Sequence, residues 1–352
     1  MRSRSVILPG TASVLPCPRI PGDATARASR RPTAQRDLTC EAEVIQTFAS
    51  GFYLAVDDPG PHAPPHRWML PIMGPEAMVL PFGVVVPTLD STHLRSLQTG
   101  ARASVVGEPP PARPQSSHPR TAAHGSQPTE PPVIREIELP DFTVDVVREH
   151  RPMRVPALRW PDIDRARVTE LSRRLHPGSP DLADRSLALA SALCTGDAAG
   201  AQAGVKALVG FGTGSTPSGD DALCGIALGL RCLGKDRDLD LLRQVLDPMP
   251  LATMTPVISG ALIRAAVSGF CVPAVAAAIR TCHRLHASTS GGESLVGDVL
   301  EPLDRIGHSS GHDLFTGFLS VLTTASGTRA PHSPLRSVTE SSSKGSSPCL
   351  VH

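Results

Sequence analysis

A glycine-rich loop that leads at once into an apolar helix is the feature that most constrains this chain. The loop reads Gly210-Phe-Gly-Thr-Gly-Ser-Thr-Pro-Ser-Gly-Asp-Asp221, and the apolar segment 222–230 follows directly. Such a loop brings backbone N–H groups and the positive end of the helix dipole to one point, which suits a phosphate or carboxylate. Because no Gly-Lys-Ser/Thr ends the loop, it is not the phosphate loop of nucleotide hydrolases.

A second loop of the same design occurs late in the chain. It reads Gly307-His-Ser-Ser-Gly-His-Asp313 and is again followed by an apolar segment. Residues 218–225 and 310–317 share the pattern Ser-Gly-x-Asp-x-x-x-Gly. Ser218, Gly219 and Asp221 align with Ser310, Gly311 and Asp313. We therefore predict that the two loops lie side by side at one cleft.

Composition restricts the function classes open to the chain. Its 352 residues are 40% apolar but only 3% aromatic, so the core has to be built from Leu, Val, Ala and Ile. A net charge of +1 favours neither nucleic acid nor an anionic membrane as a partner. The eight cysteines form no Cys-x-x-Cys pair, which is typical of reduced thiols in a cytoplasmic protein. No apolar run is long enough to span a bilayer.

The predicted fold class is α+β, with a small N-terminal β-rich domain followed by a larger all-helical domain that carries both loops. Residues 1–38 lack periodicity and are expected to be disordered and dispensable for folding, except for one short strand, or to be added by an upstream start codon. The remaining boundaries are a β-rich domain at 39–161 with a Pro/Ser-rich insertion at 107–132, a helical domain at 162–326 and a disordered tail at 327–352.

Local patterns place elements within these domains. Strands are predicted at Ser5–Leu8, Ala42–Phe48, Gly51–Val56, Arg67–Ile72, Gly83–Pro87 and Ile134–Val147. Helices are predicted at Asp162–Leu175, Pro180–Cys194, Asp197–Leu208, Asp220–Leu233, Leu239–Leu246, Pro256–Val267, Pro273–Leu285, Ser294–Ile306 and Asp313–Thr323.

Two interpretations are open for the residues of the first loop. Asp220 and Asp221 either pair with the helix dipole or contact Mg²⁺ or a substrate amine. No other cofactor is indicated. Gly212, Gly214 and Gly219 permit positive φ and close backbone approach. One glycine would be enough for a tight turn, so three within eight residues favour a ligand cradle.

Two basic residues are candidates for chemistry outside the first loop. His308 either donates a hydrogen bond to an oxyanion or caps a helix. Arg264 either makes a bidentate contact to phosphate or carboxylate, or is a surface arginine on an amphipathic helix. No Ser-His-Asp ordering stands out in the sequence, and neither a hydrolase nor a zinc enzyme is supported.

The two motifs resemble the AllH-type subunit of oxamate carbamoyltransferase. The family pattern is Gly-x-Gly-Pro-Gly-Leu-Thr-Pro-Ser-Gly-Asp-Asp, a Thr-rich helix start and a late Gly-His-Ser-Ser-Gly-x-Asp; the chain matches at 210–221, 253–259 and 307–313. Thr213 stands where the family has proline, and Ser215 where it has leucine. The resemblance extends over about 40–325, from the β-rich segment to the second motif.

The resemblance implies a subunit of a carbamoyltransferase complex in allantoin (purine) nitrogen catabolism. Its substrates would be carbamoyl phosphate and oxamate or oxalurate, which are small anions, and it would work with companion carbamoyltransferase subunits. Under this hypothesis His308 and Asp221 are catalytic. Substrate binding then falls to Gly212, Gly214, Ser215, Thr216, Ser218, Gly219, Asp220, Arg264, Ser309, Ser310, Gly311 and Asp313.

Two other interpretations stay open beside this one. The chain is either a non-catalytic subunit that binds a small anion and regulates its partners, or a family member whose loop is only a structural turn. A basic side chain that reaches the loop would favour catalysis over binding alone, because carbamoyl transfer requires neutralisation of the phosphate.

Overall fold

The structure is a computed structural model that describes residues 6–15, 17–20, 38–57, 67–108, 133–155, 157–158, 160, 163–288 and 292–327. The predicted insertion and tail lie outside the described residues from 109 to 132 and from 328 onward. Within the described residues an N-terminal β structure is followed by a run of helices.

The N-terminal part is a closed barrel of eight strands. Its described elements are β1 Val6–Ser13, β2 Arg19–Ile20, β3 Leu38–Phe48, β4 Gly51–Asp57, β5 Arg67–Met73, β6 Val84–Val85, α1 Ser91–Ser96, β7 Arg102–Glu108, β8 Val133–Glu138 and β9 Phe142–His150. The strand order is β5-β4-β3-β7-β8-β9-β1-β6, and β6 pairs back onto β5. The short strand β2 pairs with the same edge of β5 as β6 does, but at the opposite end of that strand.

The predicted fold class is wrong in this part of the chain. The β-rich region is a closed barrel and not a small set of hairpins, because β1 pairs in parallel with β9 and antiparallel with β6. Residues 1–38 were predicted to be disordered apart from Ser5–Leu8, yet β1 extends to Ser13 and its Leu8 and Ala12 are buried. Local pattern argues against such a strand, since Pro9 and Gly10 lie in its middle and both are poor strand residues.

The hairpin predicted around residues 49–51 is confirmed. Strands β3 and β4 pair antiparallel, and β4 continues the sheet onto β5. Buried and more exposed positions alternate in β1, β3 and β9, as expected for strands with one buried face, whereas β4 and β5 are buried at most positions. Phe52 and Phe142 are fully buried and contact each other edge to face.

The C-terminal part of the described chain is helical throughout. Its helices are α2 Arg165–Arg174, α3 Leu182–Thr195, α4 Ala198–Leu208, α5 Ser218–Cys232, α6 Asp236–Leu246, α7 Leu251–Met254, α8 Val257–Val267, α9 Pro273–Ala287, α10 Gly292–Asp304 and α11 Ser310–Gly327. Each predicted helix is present with shifted ends, and only the short α7 was missed. No described helix combines the length and the apolarity needed to cross a membrane.

Helices α5 and α11 form the centre of the helical part. Both are largely buried, with 14 buried residues in α5 and 11 in α11, as expected for helices enclosed by others. The two helices cross at Gly225 and Gly317. A Cβ on Gly225 would overlap the carbonyl oxygen of Leu314, and a Cβ on Gly317 would overlap that of Ala222. The contact is reciprocal, so the helices that follow the two motifs are related by an approximate two-fold axis.

The barrel and the helical part meet at a small apolar cluster. Met73, Leu80 and Phe82 from the barrel side pack with Ile258 of α8. This cluster lies beside the start of α5, and it positions β4 and β5 over the loop that leads into that helix.

Candidate functional site

The first loop leaves α4 at Leu208 and enters α5 at Ser218 with three glycines in the left-handed region. Gly210, Gly212 and Gly214 have φ of +71°, +109° and +95°, a conformation that other residues adopt at a cost. Residues 212–215 are exposed, and their amides make no hydrogen bond with the described part of the chain. The loop therefore presents free N–H donors at the positive end of α5.

The two predicted loops meet, which confirms that part of the sequence prediction. The hydroxyls of Thr216 and Ser310 lie 3.0 Å apart. Gly178, in the segment between α2 and α3, touches both loops. A Cβ added there would lie 2.7 Å from Ser218 Oγ and 2.8 Å from Ser309 Oγ.

Asp220 is a fully buried carboxylate whose two oxygens are both occupied. Oδ1 accepts the backbone N–H of Gly210 at 2.8 Å, and Oδ2 accepts the hydroxyls of Ser259, at 2.7 Å, and Thr255. Asp220 thus ties the first turn of the loop to the start of α8. With its oxygens engaged in this way, it holds the loop in place and does not face a ligand.

Asp221 has the opposite environment from its neighbour. It is 7% exposed, and its Oδ2 is buried without a hydrogen-bond partner. Burial raises the pKa of Asp221 well above its usual range, and the charges of Asp313 and Asp220 raise it further. The nearby hydroxyls of Ser310 and Thr216 oppose that rise. Because the raising influences dominate, burial shifts Asp221 toward its neutral, protonated form, in which the carboxyl can donate a hydrogen bond.

Asp313 is the counterpart of Asp221 on α11, but both of its oxygens are occupied. Oδ1 accepts the backbone N–H of Gly178 at 2.7 Å, and Oδ2 accepts the Ser309 hydroxyl at 2.8 Å. The adjacent His312 accepts the backbone N–H of His176 at Nδ1 and faces Asp304 with Nε2 at 2.8 Å. Asp313 and His312 therefore already have hydrogen-bond partners within the protein. The carboxyl group with an unpartnered oxygen is that of Asp221, in the first loop.

A cavity of ≈ 220 Å³ lies where the two loops meet the barrel. Its polar end is formed by residues of both loops and the start of α5, and the rest of its wall is apolar. The polar end consists of Ser215, Thr216, Asp221, Gly307 and Ser310. The apolar wall includes Met73, Leu80, Leu228, Ile258, Leu262, Val275, Ile306 and Leu314. Among the lining residues that the structure describes, none is basic.

The predicted basic residues do not reach this cavity. His308 is exposed in the turn before α11 and is not part of the lining, so its catalytic role stays a prediction. Arg264 lies on a separate, larger cavity of ≈ 590 Å³, between Cys17–Arg19 and α7–α8. Arg264 lines that cavity with Phe82 and Leu251 and is not among the lining residues of the cavity at the loops, so its substrate-binding role stays a prediction.

Several residues of the site were not singled out from the sequence. Gly178 precedes α3 by only a few residues and carries no local signal beyond being a glycine. Tyr53 reaches the cavity from β4, and burial raises its pKa. Cys224 lies one turn after Asp221, and burial raises the pKa of its thiol, which keeps it protonated. Only the position of Cys224, on the same face as Asp221 one helical turn later, could have been inferred.

The predicted Mg²⁺ contact has no ready ligand set here. Within the described residues, no three side chains of His, Cys, Asp or Glu are grouped so as to hold a metal ion. Asp220 already uses its oxygens, and the raised pKa of Asp221 disfavours the carboxylate form that a hard cation needs.

Comparison with known proteins supports the resemblance inferred from the motifs. The family model described as oxamate carbamoyltransferase subunit AllH matches residues 208–322. This segment runs from the last residue of α4 into α11 and contains both loops, but not the barrel. A search of the curated proteins and a search of the solved structures found no match. Over residues 208–322, the chain is therefore similar to the AllH subunit of oxamate carbamoyltransferase, as its two motifs predict.

Proposed function

We propose that this chain is a subunit of a carbamoyltransferase complex that acts on carbamoyl phosphate and oxamate in allantoin nitrogen catabolism. The reaction transfers the carbamoyl group between phosphate and the oxamate nitrogen, so that carbamoyl phosphate and oxamate interconvert with phosphate and oxalurate. The observation that carries the proposal is the meeting of the two loops at a cavity that is lined by Asp221, a buried carboxyl group whose Oδ2 has no hydrogen-bond partner. The family match over the same residues supports it.

The two sides of the site suit different parts of a small substrate. The exposed amides of residues 212–215, at the N-terminus of α5, suit a carboxylate or phosphate oxygen. The Asp221 carboxyl and the hydroxyls of Thr216 and Ser310 suit a carbonyl or amide group. Carbamoyl transfer also needs cations that neutralise the departing phosphate. Because no described lining residue is basic, companion subunits would supply them.

The absence of a basic group in the described lining also favours a second candidate function. In that alternative the chain binds a small ligand without taking part in the transfer and regulates the subunits that do. The two candidates differ in whether the complex turns over without this chain. Binding alone would be common to both.

Reconstitution separates the candidates. The chain should be co-purified with its companion subunits, and the release of phosphate from carbamoyl phosphate should be measured with and without oxamate. We expect oxamate-dependent release from the full complex and none from the isolated chain. If the companion subunits are equally active without the chain, it is not a catalytic component.

The Gly214→Val variant tests whether the first loop is the binding site. Binding to the wild-type complex at 100 times Kd should raise its stability by about 2.7 kcal/mol, which a thermal shift with oxamate or carbamoyl phosphate detects. We expect Gly214→Val to abolish this shift, since a β-branched residue is disfavoured at φ +95° and would rearrange the loop.

Gly234→Val is the matched control for this measurement. Gly234 also has positive φ, +65°, and also has no neighbour that a Cβ would meet, but it lies at the far end of α5. Both variants should lose intrinsic stability, whereas only Gly214→Val should lose the ligand-dependent shift. Equal shifts in both variants would remove the loop from the binding site.

A further inference from the structure

We propose that the cavity between the loops and the barrel binds the uncharged carboxamide or carbamoyl end of its ligand, seated against the carboxyl group of Asp221. The proposal rests on the function proposed above and deepens it, because it states which part of a substrate enters and which part stays outside. The phosphate or carboxylate end remains at the exposed amides of residues 212–215.

The charges around the cavity argue against a buried anion. The titratable groups near Asp221 are Asp220 and Cys224 on its own helix and Asp313 on α11. Two more line the cavity: Tyr53 on β4, and Cys271 in the segment before α9. All are acids, and no described lining residue is a cation. Burying an unpaired phosphate among them would be strongly unfavourable. A neutral group avoids that penalty.

The hydrogen-bonding capacity of Asp221 matches an amide. A protonated carboxyl has one O–H donor and one acceptor oxygen, and a primary amide offers a carbonyl acceptor and an N–H donor. The two groups can form a closed pair of hydrogen bonds with no net charge. Asp221 is more than nine-tenths buried and its Oδ2 is unpartnered, so the protein alone leaves the capacity of that oxygen unused. The hydroxyls of Thr216 and Ser310 interact with the Asp221 carboxyl, and their oxygen lone pairs can accept the remaining amide hydrogen.

The apolar wall gives the proposal a second, quantitative consequence. At roughly 30 Å³ for each water-sized group, a cavity of ≈ 220 Å³ holds more than the amide alone. Methylene groups attached to the amide would lie against residues such as Leu228, Ile258 and Val275. Within the series acetamide, propionamide and butyramide, affinity should therefore rise about fourfold for each added CH₂.

The pH dependence follows from the proton on Asp221. The folded-state pKa of Asp221 is raised, so the protonated form that pairs with an amide is present below that pKa and is lost as the pH rises through it. Butyramide affinity of the wild-type chain should fall at high pH. An anion that needed a positively charged partner would not share this dependence on a single carboxyl group.

The experiment measures butyramide binding to the full chain by calorimetry across a pH series. Asp221→Asn keeps a neutral donor and acceptor of the same shape, so it should bind within a fewfold of wild type and should lose the pH dependence. Asp221→Leu should bind at least tenfold more weakly. Asp298→Asn makes the same chemical change at an exposed position of α10 and should behave as wild type.

Three outcomes would overturn the inference. They are an affinity of the wild-type chain that does not fall at high pH, a loss of binding in Asp221→Asn, and competition between inorganic phosphate and butyramide. These results leave the proposed function testable on its own, since reconstituted turnover does not depend on which end of the substrate is buried. If the reconstituted complex turns over but the chain does not bind butyramide, only the inference is rejected and not the proposed function.

Discussion

Replacing Gly225 by alanine should lower the free energy of unfolding by about 3 kcal/mol or more, at the upper end of the usual cost of overpacking. The added methyl group would overlap the carbonyl oxygen of Leu314 at the crossing of α5 and α11. A backbone carbonyl cannot rotate away as a side chain can, so the helices have to separate. The loss is a large part of the total stability of an ordinary domain, about 5–15 kcal/mol. Urea denaturation followed by circular dichroism measures it.

Gly297→Ala is the matched control. Gly297 is exposed within α10, and a Cβ there would meet nothing within 4 Å. Since alanine is the better helix former, this variant should gain up to about 1 kcal/mol. The approximate two-fold relation further requires that Gly317→Ala lose about as much as Gly225→Ala, because its methyl group would overlap the carbonyl of Ala222. A neutral Gly225→Ala variant would contradict the close crossing.

Replacing Asp220 by alanine should destabilise the protein by about 3 kcal/mol or more and abolish ligand binding. The change leaves three donors without their acceptor: the Gly210 N–H and the hydroxyls of Thr255 and Ser259. Each unsatisfied buried donor costs about 1–3 kcal/mol. The binding loss has a separate cause, because Asp220 fixes the start of the loop whose amides face the ligand. Denaturation and calorimetry report the two effects independently.

Two variants set the scale for this result. Asp197→Ala removes a carboxylate that caps α4 by accepting the exposed Gly200 N–H, so a loss of about 1 kcal/mol is expected. Asp220→Asn keeps an acceptor for Gly210, and the two hydroxyls can rotate to meet the amide. It should therefore lose less than Asp220→Ala. If Asp220→Ala lost no more stability than Asp197→Ala, the buried network would not hold the loop.

The site was predictable where its geometry is local. The first loop could be located because neighbouring residues determine its structure. Gly212 and Gly214 allow positive φ, and the apolar segment that follows forms the helix. The pairing of the loops was inferred from a repeated pattern, and Thr216 and Ser310 do meet. The sequence did not predict that Asp220 anchors the loop while Asp221 lines the cavity. This difference depends on Thr255 and Ser259, which lie 35 and 39 positions later in the chain.

The fold was predictable to a similar extent. Helices in the second half follow from apolar periodicity and proline positions, and all those predicted are present. The barrel was missed because closure depends on pairing between β1 and β9, which no local pattern encodes. Arg264 shows the same limit, since residue type suggested an anion contact but packing directs it to another cavity.

The parallel pairing of β1 with β9 has a consequence for the order of events during synthesis. Residue 6 pairs with residue 142, which is made 136 positions later. At about 5–20 residues per second, β1 waits on the order of ten seconds for its partner on the ribosome. During that interval the edge of β1 that later pairs with β9 is open and can pair with other nascent chains. The barrel can therefore close only late in translation, once residue 150 has emerged.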